Sequence, residues 1–200
     1  MSILADGAIL NAIEAGEIKI EPMAPWAVGT NSIDLHLSKH LATCEPNAKR
    51  VDYLADWDLE IINTNARSNI NRFEIDPKDG YILEPGILYL GSTVEWTSSG
   101  PYLPFLDGTS GAGRLGISVH VTAGKGDVGF QGHWTLELTV VHPVRVYGGE
   151  PVAQIFFHTV VGTVMRLYHS KIGSNYGGDH DPLPQASRMW NKKRWTGEEL

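Results

Sequence analysis

The chain has a single cysteine, Cys44, in 200 residues, so it cannot close an internal disulfide. That absence points to a reducing compartment. No apolar run reaches the ~18 residues of a membrane-spanning helix, and the first residues lack the basic-then-apolar order of a signal peptide. The expectation is a cytoplasmic protein with no membrane partner. Positive charge is also scarce, with 16 Lys and Arg against 23 Asp and Glu, a net charge of −7. A non-specific binder of nucleic-acid polymer needs a basic face to release counterions, which this composition does not supply. Lys192, Lys193 and Arg194 read as a solvated tail. The eight histidines are scattered, and His36 with His40 is the one pair at four-residue spacing. The local pattern there is a strand leading into a turn, where that spacing does not align ligands, so no metal site is expected. Zinc deaminases need His-x-Glu followed by Pro-Cys-x-x-Cys, which one cysteine cannot build.

What is present is ordinary for a globular protein: 42% hydrophobic and 20% charged residues. A chain of this length buries roughly 70% of its unfolded surface and needs no metal or disulfide staple. One helix is expected over residues 2–16, where Leu4, Ala8, Ile9, Ala12 and Ile13 recur at three- and four-residue spacing. Asp6 is its expected cap and Gly16 its stop. After it, Pro and Gly cut the chain into short alternating pieces: Ile33–Leu37, Ile117–Val121 and Trp134–Leu138, with an apolar run at Val152–Phe157. Such punctuation predicts an all-β sandwich or barrel. Residues 52–76 read as a loop-rich excursion, and composition turns to Gly, Pro, Asp and Ser after Gly173. The domain is therefore placed at 1–172, with 173–200 a flexible C-terminal tail expected to close over the site.

Two Gly-rich stretches carry little by themselves. Gly124-Lys125-Gly126 lacks the Ser or Thr of a phosphate loop, and Gly108–Gly113 lacks the dinucleotide-binding spacing, with no helix pattern after it. In the strand expected at 133–141, Trp134, Leu136, Leu138 and Val140 share one face, so Glu137 points the other way with Thr135 and Thr139. Glu137 is then either an exposed strand carboxylate or a general base in a cleft, with Ser110, Arg114 and the backbone at Ala123 around it.

Residues 107–141 strongly resemble the dCTP deaminase family, a branch of the dUTPase superfamily. The resemblance is carried by Gly108, Ser110, Arg114-Leu115-Gly116, His120, Thr122-Ala123-Gly124, Asp127, Gly129-Phe130, Gly132 and Thr135-Leu136-Glu137. It continues in Asn31–Leu37, in Glu84-Pro85-Gly86, in Gly149–Phe157, and in Tyr176 with Ser187-Arg188. It implies a distorted antiparallel β-barrel, jelly-roll-like and of the dUTPase type, assembled as a homotrimer with sites at subunit interfaces. It also implies zinc-independent deamination of a deoxycytidine nucleotide, with Mg2+ accompanying the phosphates. By the same resemblance, Glu137 is the base, Ser110 and the Ala123 backbone hold the water, and Arg114 orients Glu137 or stabilises charge. Asp127 and Phe130 are placed near the sugar and phosphates, and Thr122 and Thr135 among the substrate-binding positions.

The departures fall on the triphosphate. Thr109 stands for the family's Arg, Gly111 for its second Ser, Asn175 for a basic residue, and Asp179 for a Gln. Charge-assisted contacts are lost and acidic groups gained, with Lys125 in position to compensate. The substrate expected is dCTP, or dCMP or a modified deoxycytidine nucleotide. The competing readings are a dUTP diphosphatase or bifunctional enzyme, suggested by Ser110-Gly111 and Asp127, and a non-catalytic nucleotide-binding regulator.

Overall fold

A computed structural model describes residues 2–44, 70–171 and 182–184. Helix α1 spans Asp6–Glu14 and buries Ile9 and Ala12. Gly16 ends it at φ 73°, a conformation glycine takes without steric cost. The expected Asp6 cap is corrected, because Ala5 occupies the cap position without a side-chain bond. Asp6 lies within the first turn, accepts from its neighbour Gly7 N at 2.8 Å, and places negative charge at the positive end of the helix.

The strands are β1 (Lys19–Glu21), β2 (Ile33–Cys44), β3 (Ile70–Glu74), β4 (Tyr81–Leu83), β5 (Tyr89–Ser98), β6 (Leu103–Gly108), β7 (Ile117–Ser118), β8 (Gln131–Val140), β9 (Val144–Val146) and β10 (Pro151–His158). The main sheet runs β6-β10-β2-β5-β8-β7, with β1 added on β5 and β3 on β2, while β4 and β9 pair separately. It is the mostly β, nearly closed antiparallel barrel that the sequence predicts. Two-residue alternation turns Leu35, Leu37, Leu136, Leu138, Ile155 and Phe157 inward, all fully buried. Each such side chain contributes about 1.5–3 kcal/mol by leaving water.

Two expectations need correcting. Residues 70–74, inside the predicted excursion, form β3 against β2, with Phe73 on the Tyr81 ring at 4.6 Å. Asn71 and Arg72 interrupt the apolar pattern there, so pairing rather than composition makes the strand. Residues 45–69 lie outside the described residues. The strand predicted at 117–121 stops at Ser118, because the chain then leaves the ladder.

Where it goes closes the barrel. Val119 O still accepts from Glu137 N on β8 at 2.9 Å. Gly124 O then accepts from Leu106 N at 2.7 Å, and Gly126 N donates to Pro104 O at 2.9 Å, both on β6. Residues 119–126 thus span from β8 to β6, the far end of the strand order. Two glycines permit the approach. A Cβ on Gly124 would lie 2.5 Å from Leu106 O, and one on Gly126 would lie 2.6 Å from Trp134 Cη2.

Candidate active site

The alternation along β8 places Glu137 as expected, half-buried and opposite the core face of Trp134, Leu136, Leu138 and Val140. Its Oε2 accepts from Val121 N at 2.9 Å and from Thr122 N at 3.3 Å. The next residue, Ala123, has φ 61°, the left-handed region that costs a residue with a side chain roughly 1–2 kcal/mol. That turn follows directly on the two donors and delivers the chain to β6 through Gly124. Oε1 has no hydrogen-bond partner among the described residues. The result is a carboxylate oriented by fixed backbone dipoles at one oxygen and open at the other, the arrangement of a positioned proton acceptor.

The structure therefore brings Glu137, Thr122 and Ala123 together. Ser110 and Arg114 begin and end a short helix, α2 (Ser110–Arg114), which the sequence reading did not expect after the Gly-rich stretch. Its signal was Thr109, whose hydroxyl accepts from Ala112 N at 3.2 Å as the cap. The same hydroxyl reaches Pro151 O at 3.3 Å, so Thr109 ties α2 to the start of β10. Ser110, Gly111 and Arg114 are exposed, and among the described residues no ion pair holds Arg114. Within one chain Arg114 makes no bond to Glu137.

Lys125 Nζ lies 3.3 Å from Asp127 Oδ1, and both side chains are half-exposed. Phe130 is largely a core residue, its ring 4.7 Å from Trp134 and 5.9 Å from Tyr168. Thr135 shares the face of Glu137 and stands opposite Ser92 of β5. Tyr176 and Asp179 lie outside the described residues, as does most of the tail.

The sequence reading missed the donors Val121 N and Thr122 N, because a backbone N–H leaves no mark in residue type. It also passed over a second polar cluster. Glu95, 3% exposed, accepts from His36 N at 2.9 Å and lies 2.5 Å from His36 Nδ1. Burial raises the pKa of nearby Asp34, with His36 acting in the opposite sense. His36 and His40 both sit within β2 rather than at a turn. Among the described residues no group of three or more His, Cys, Asp or Glu side chains is placed to hold a metal ion, and no helix is long and apolar enough to cross a membrane.

A barrel whose strand-borne carboxylate is held by the loop that closes it is the setting in which the family can be stated. Residues 3–160 match the family described as dCTP deaminase-like, and the chain belongs to it. A protein of Leptospira biflexa named "dCTP deaminase, dUMP-forming" is 40% identical over 175 residues, covering 88% of this chain and 92% of that one. A protein of the same name from Cytophaga hutchinsonii is 42% identical over 161 residues, covering 80% and 85%. The fold also matches a crystal structure of 2'-deoxycytidine 5'-triphosphate deaminase from Agrobacterium tumefaciens, with a TM-score of 0.57 at 23% identity. That match covers 78% of this chain and 47% of the other.

Proposed function

We propose that this protein deaminates dCTP at C4 of the cytosine and, in accord with the names of its relatives, carries the product on to dUMP. The observation that carries the reading is Glu137, bound at Oε2 by two backbone N–H groups and open at Oε1. Oε1 takes a proton from the attacking water as oxygen bonds to C4. That proton passes to N3; the proton of the new C4 hydroxyl then moves to the amine as the C4–N bond breaks, so that dCTP and water give dUTP and ammonia. A positioned base of this kind contributes about 10²- to 10⁴-fold in rate. Ser110 and the Ala123 backbone hold the water, and Arg114 stabilises the developing charge. In the second step Asp127 orients a water toward the α-phosphate, and dUTP gives dUMP and pyrophosphate.

Arg114 is exposed and makes no bond to Glu137 in its own chain, while Leu115, Val121 and Val141 are exposed apolar residues of the same region. These features support a homotrimer in which one chain's α2 completes a neighbour's site. Mg2+ fits as a companion of the phosphates, since hard cations of this kind keep several waters and lean on substrate oxygens. The lone Cys44 supports a zinc-independent mechanism and a cytoplasmic setting.

The test is incubation with dCTP, dCMP and dUTP, reading ammonia, pyrophosphate and the nucleotide products. dCTP should yield ammonia, pyrophosphate and dUMP, and a chelator specific for zinc should leave the rate unchanged. Absence of ammonia from every cytosine nucleotide overturns the reading. Thr109, Gly111, Asn175 and Asp179 weaken the hold on the triphosphate, so the preference for dCTP over dCMP should be modest. Thr109→Arg combined with Asp179→Gln should raise it about tenfold, the worth of one charge-assisted contact. An unmodified protein that already prefers dCTP by about a hundredfold in kcat/KM refutes the weakened grip.

A further inference from the structure

We propose that Thr109 is a positioning residue, whose hydroxyl clamps α2 to β10 and so sets where Ser110 and Arg114 stand. Every polar atom of Thr109 is engaged within the fold. Its N–H donates to Val152 O at 3.0 Å, and its carbonyl accepts from Gly113 N at 3.0 Å. The hydroxyl oxygen accepts from Ala112 N at 3.2 Å and donates to Pro151 O at 3.3 Å. A carbonyl can only accept, so the one hydroxyl proton is committed to Pro151 and none is left for a phosphate. The residue before it is held as well. Gly108 O accepts from Gln154 Nε2 at 3.3 Å, and Gln154 Oε1 accepts from Ser32 Oγ at 3.3 Å.

Local propensity does not explain α2. Its five residues are far fewer than an isolated helix needs, and two of them, Gly111 and Gly113, oppose helix. The carbonyls that receive Thr109 belong to a bulge, for β10 shifts register against β2 between Pro151 and Ala153. A bulge takes residues out of the ladder and re-aims the chain, often beside a functional site. The β6–β10 pairing ends at Gly108 and Ala153, and Pro151 has no N–H to prolong it. The Thr109 hydroxyl takes the Pro151 carbonyl instead. Ser110 follows the clamp directly and Arg114 ends the same short helix, so a rotation of α2 displaces both together. A misplacement of about 1 Å is enough to cost about a hundredfold in rate. The effect on turnover rests on the function proposed above, but the clamp itself does not.

The experiment compares the full-length protein with Thr109→Val, Thr109→Ser and Thr109→Ala, each first checked by thermal melting. kcat and KM are measured for dCTP and dCMP, and hydrogen–deuterium exchange is followed in the peptide spanning residues 109–116. Thr109→Val keeps the branched shape and removes both hydroxyl bonds. It should speed exchange in that peptide about fivefold, the worth of one helix cap, and leave exchange along β8 unchanged. kcat should fall about tenfold with KM changed less than about twofold, because the hydroxyl does not touch substrate. The preference for dCTP over dCMP in kcat/KM should stay that of the parent, since both nucleotides meet the same α2. Thr109→Ser keeps the hydroxyl and should return kcat and exchange to within about twofold of the parent. A folded Thr109→Val with parental exchange overturns the proposal, and so does one with faster exchange but parental kcat in a protein that deaminates. A variant that instead raises KM and lowers the dCTP preference overturns it too, since the hydroxyl would then meet the phosphates. Should Thr109→Val not fold, Thr109→Ala is read in its place, and parental values there overturn the proposal equally. Faster exchange in Thr109→Val, where the parent releases no ammonia, upholds the clamp and counts against the functional reading alone.

Discussion

Strand β8 and the segment 119–126 meet at one carboxylate and are built on opposite principles. The strand is regular for ten residues, every second side chain buried, and its position is fixed by apolar packing distributed over many groups. The segment has no such repeat. It is held by a few backbone hydrogen bonds, to β8 at one end and β6 at the other, and by glycines that admit neighbours no side chain would. The strand carries Glu137, the proposed base, and the segment supplies the dipoles that aim it. Substitutions in the two should therefore fail differently, chemistry being lost in one and closure in the other.

Glu137→Gln gives the largest separation. Its amide oxygen can still accept from Val121 and Thr122, so the melting curve should be nearly unchanged while ammonia release falls about 10²- to 10⁴-fold. A Gln variant retaining more than about a tenth of the parent rate would remove Glu137 from the role of base. The segment should show the reverse. Gly126→Ala forces a methyl against Trp134 and Pro104, and overpacking of this kind costs about 1–3 kcal/mol in urea unfolding. Gly124→Ala meets a backbone oxygen at 2.5 Å and should cost at least as much. Gly113→Ala in α2 meets nothing within 4 Å and should be neutral or stabilising by up to about 1 kcal/mol. Equal effects at all three positions would show that close approach does not govern the segment.

A smaller effect lies outside both regions. Burial raises the pKa of Asp34, so the folded state holds its proton more tightly than the unfolded chain does. Its ionised form therefore detracts from stability above the raised value, and the cost fades as pH falls toward 3.8. Asp34→Asn should melt higher than the parent at pH 7 and lose that advantage near pH 4. A difference independent of pH would assign the effect to something other than ionisation. The Lys125–Asp127 pair should matter least to stability, because it is half-exposed and such pairs contribute about 0–1 kcal/mol. Lys125→Met should leave the melting temperature within about 4 °C, what up to about 1 kcal/mol allows for a chain of this size.

The contrast also explains what the sequence could disclose. β8 was legible to the residue, since period-two alternation over Trp134, Leu136 and Leu138 fixes which face Glu137 takes. The family resemblance then named Ser110, Arg114 and Ala123, and the structure puts Ala123 at the strained turn beside the carboxylate. The crossing of 119–126 to β6 was not legible, because Ile117–Val121 alternates as a strand does and only long-range bonds pull it away. Helix α2 was hidden by its glycines, which oppose helix in isolation, while its Thr109 cap and the ends fixed by β6 and β7 impose it. Thr109, which stands where the family has an Arg, also caps the helix with its hydroxyl.

Because residues 119–126 both shut the barrel and aim Glu137, the protein has no inexpensive way to loosen one without the other. A cooperative unit that contains this segment opens only at the free energy of the surrounding sheet. Heat inactivation and the loss of β structure should then trace a single curve. Amides of Val121, Thr122 and Gly126 should exchange with solvent deuterium as slowly as those of β8, unlike the amides of most surface loops.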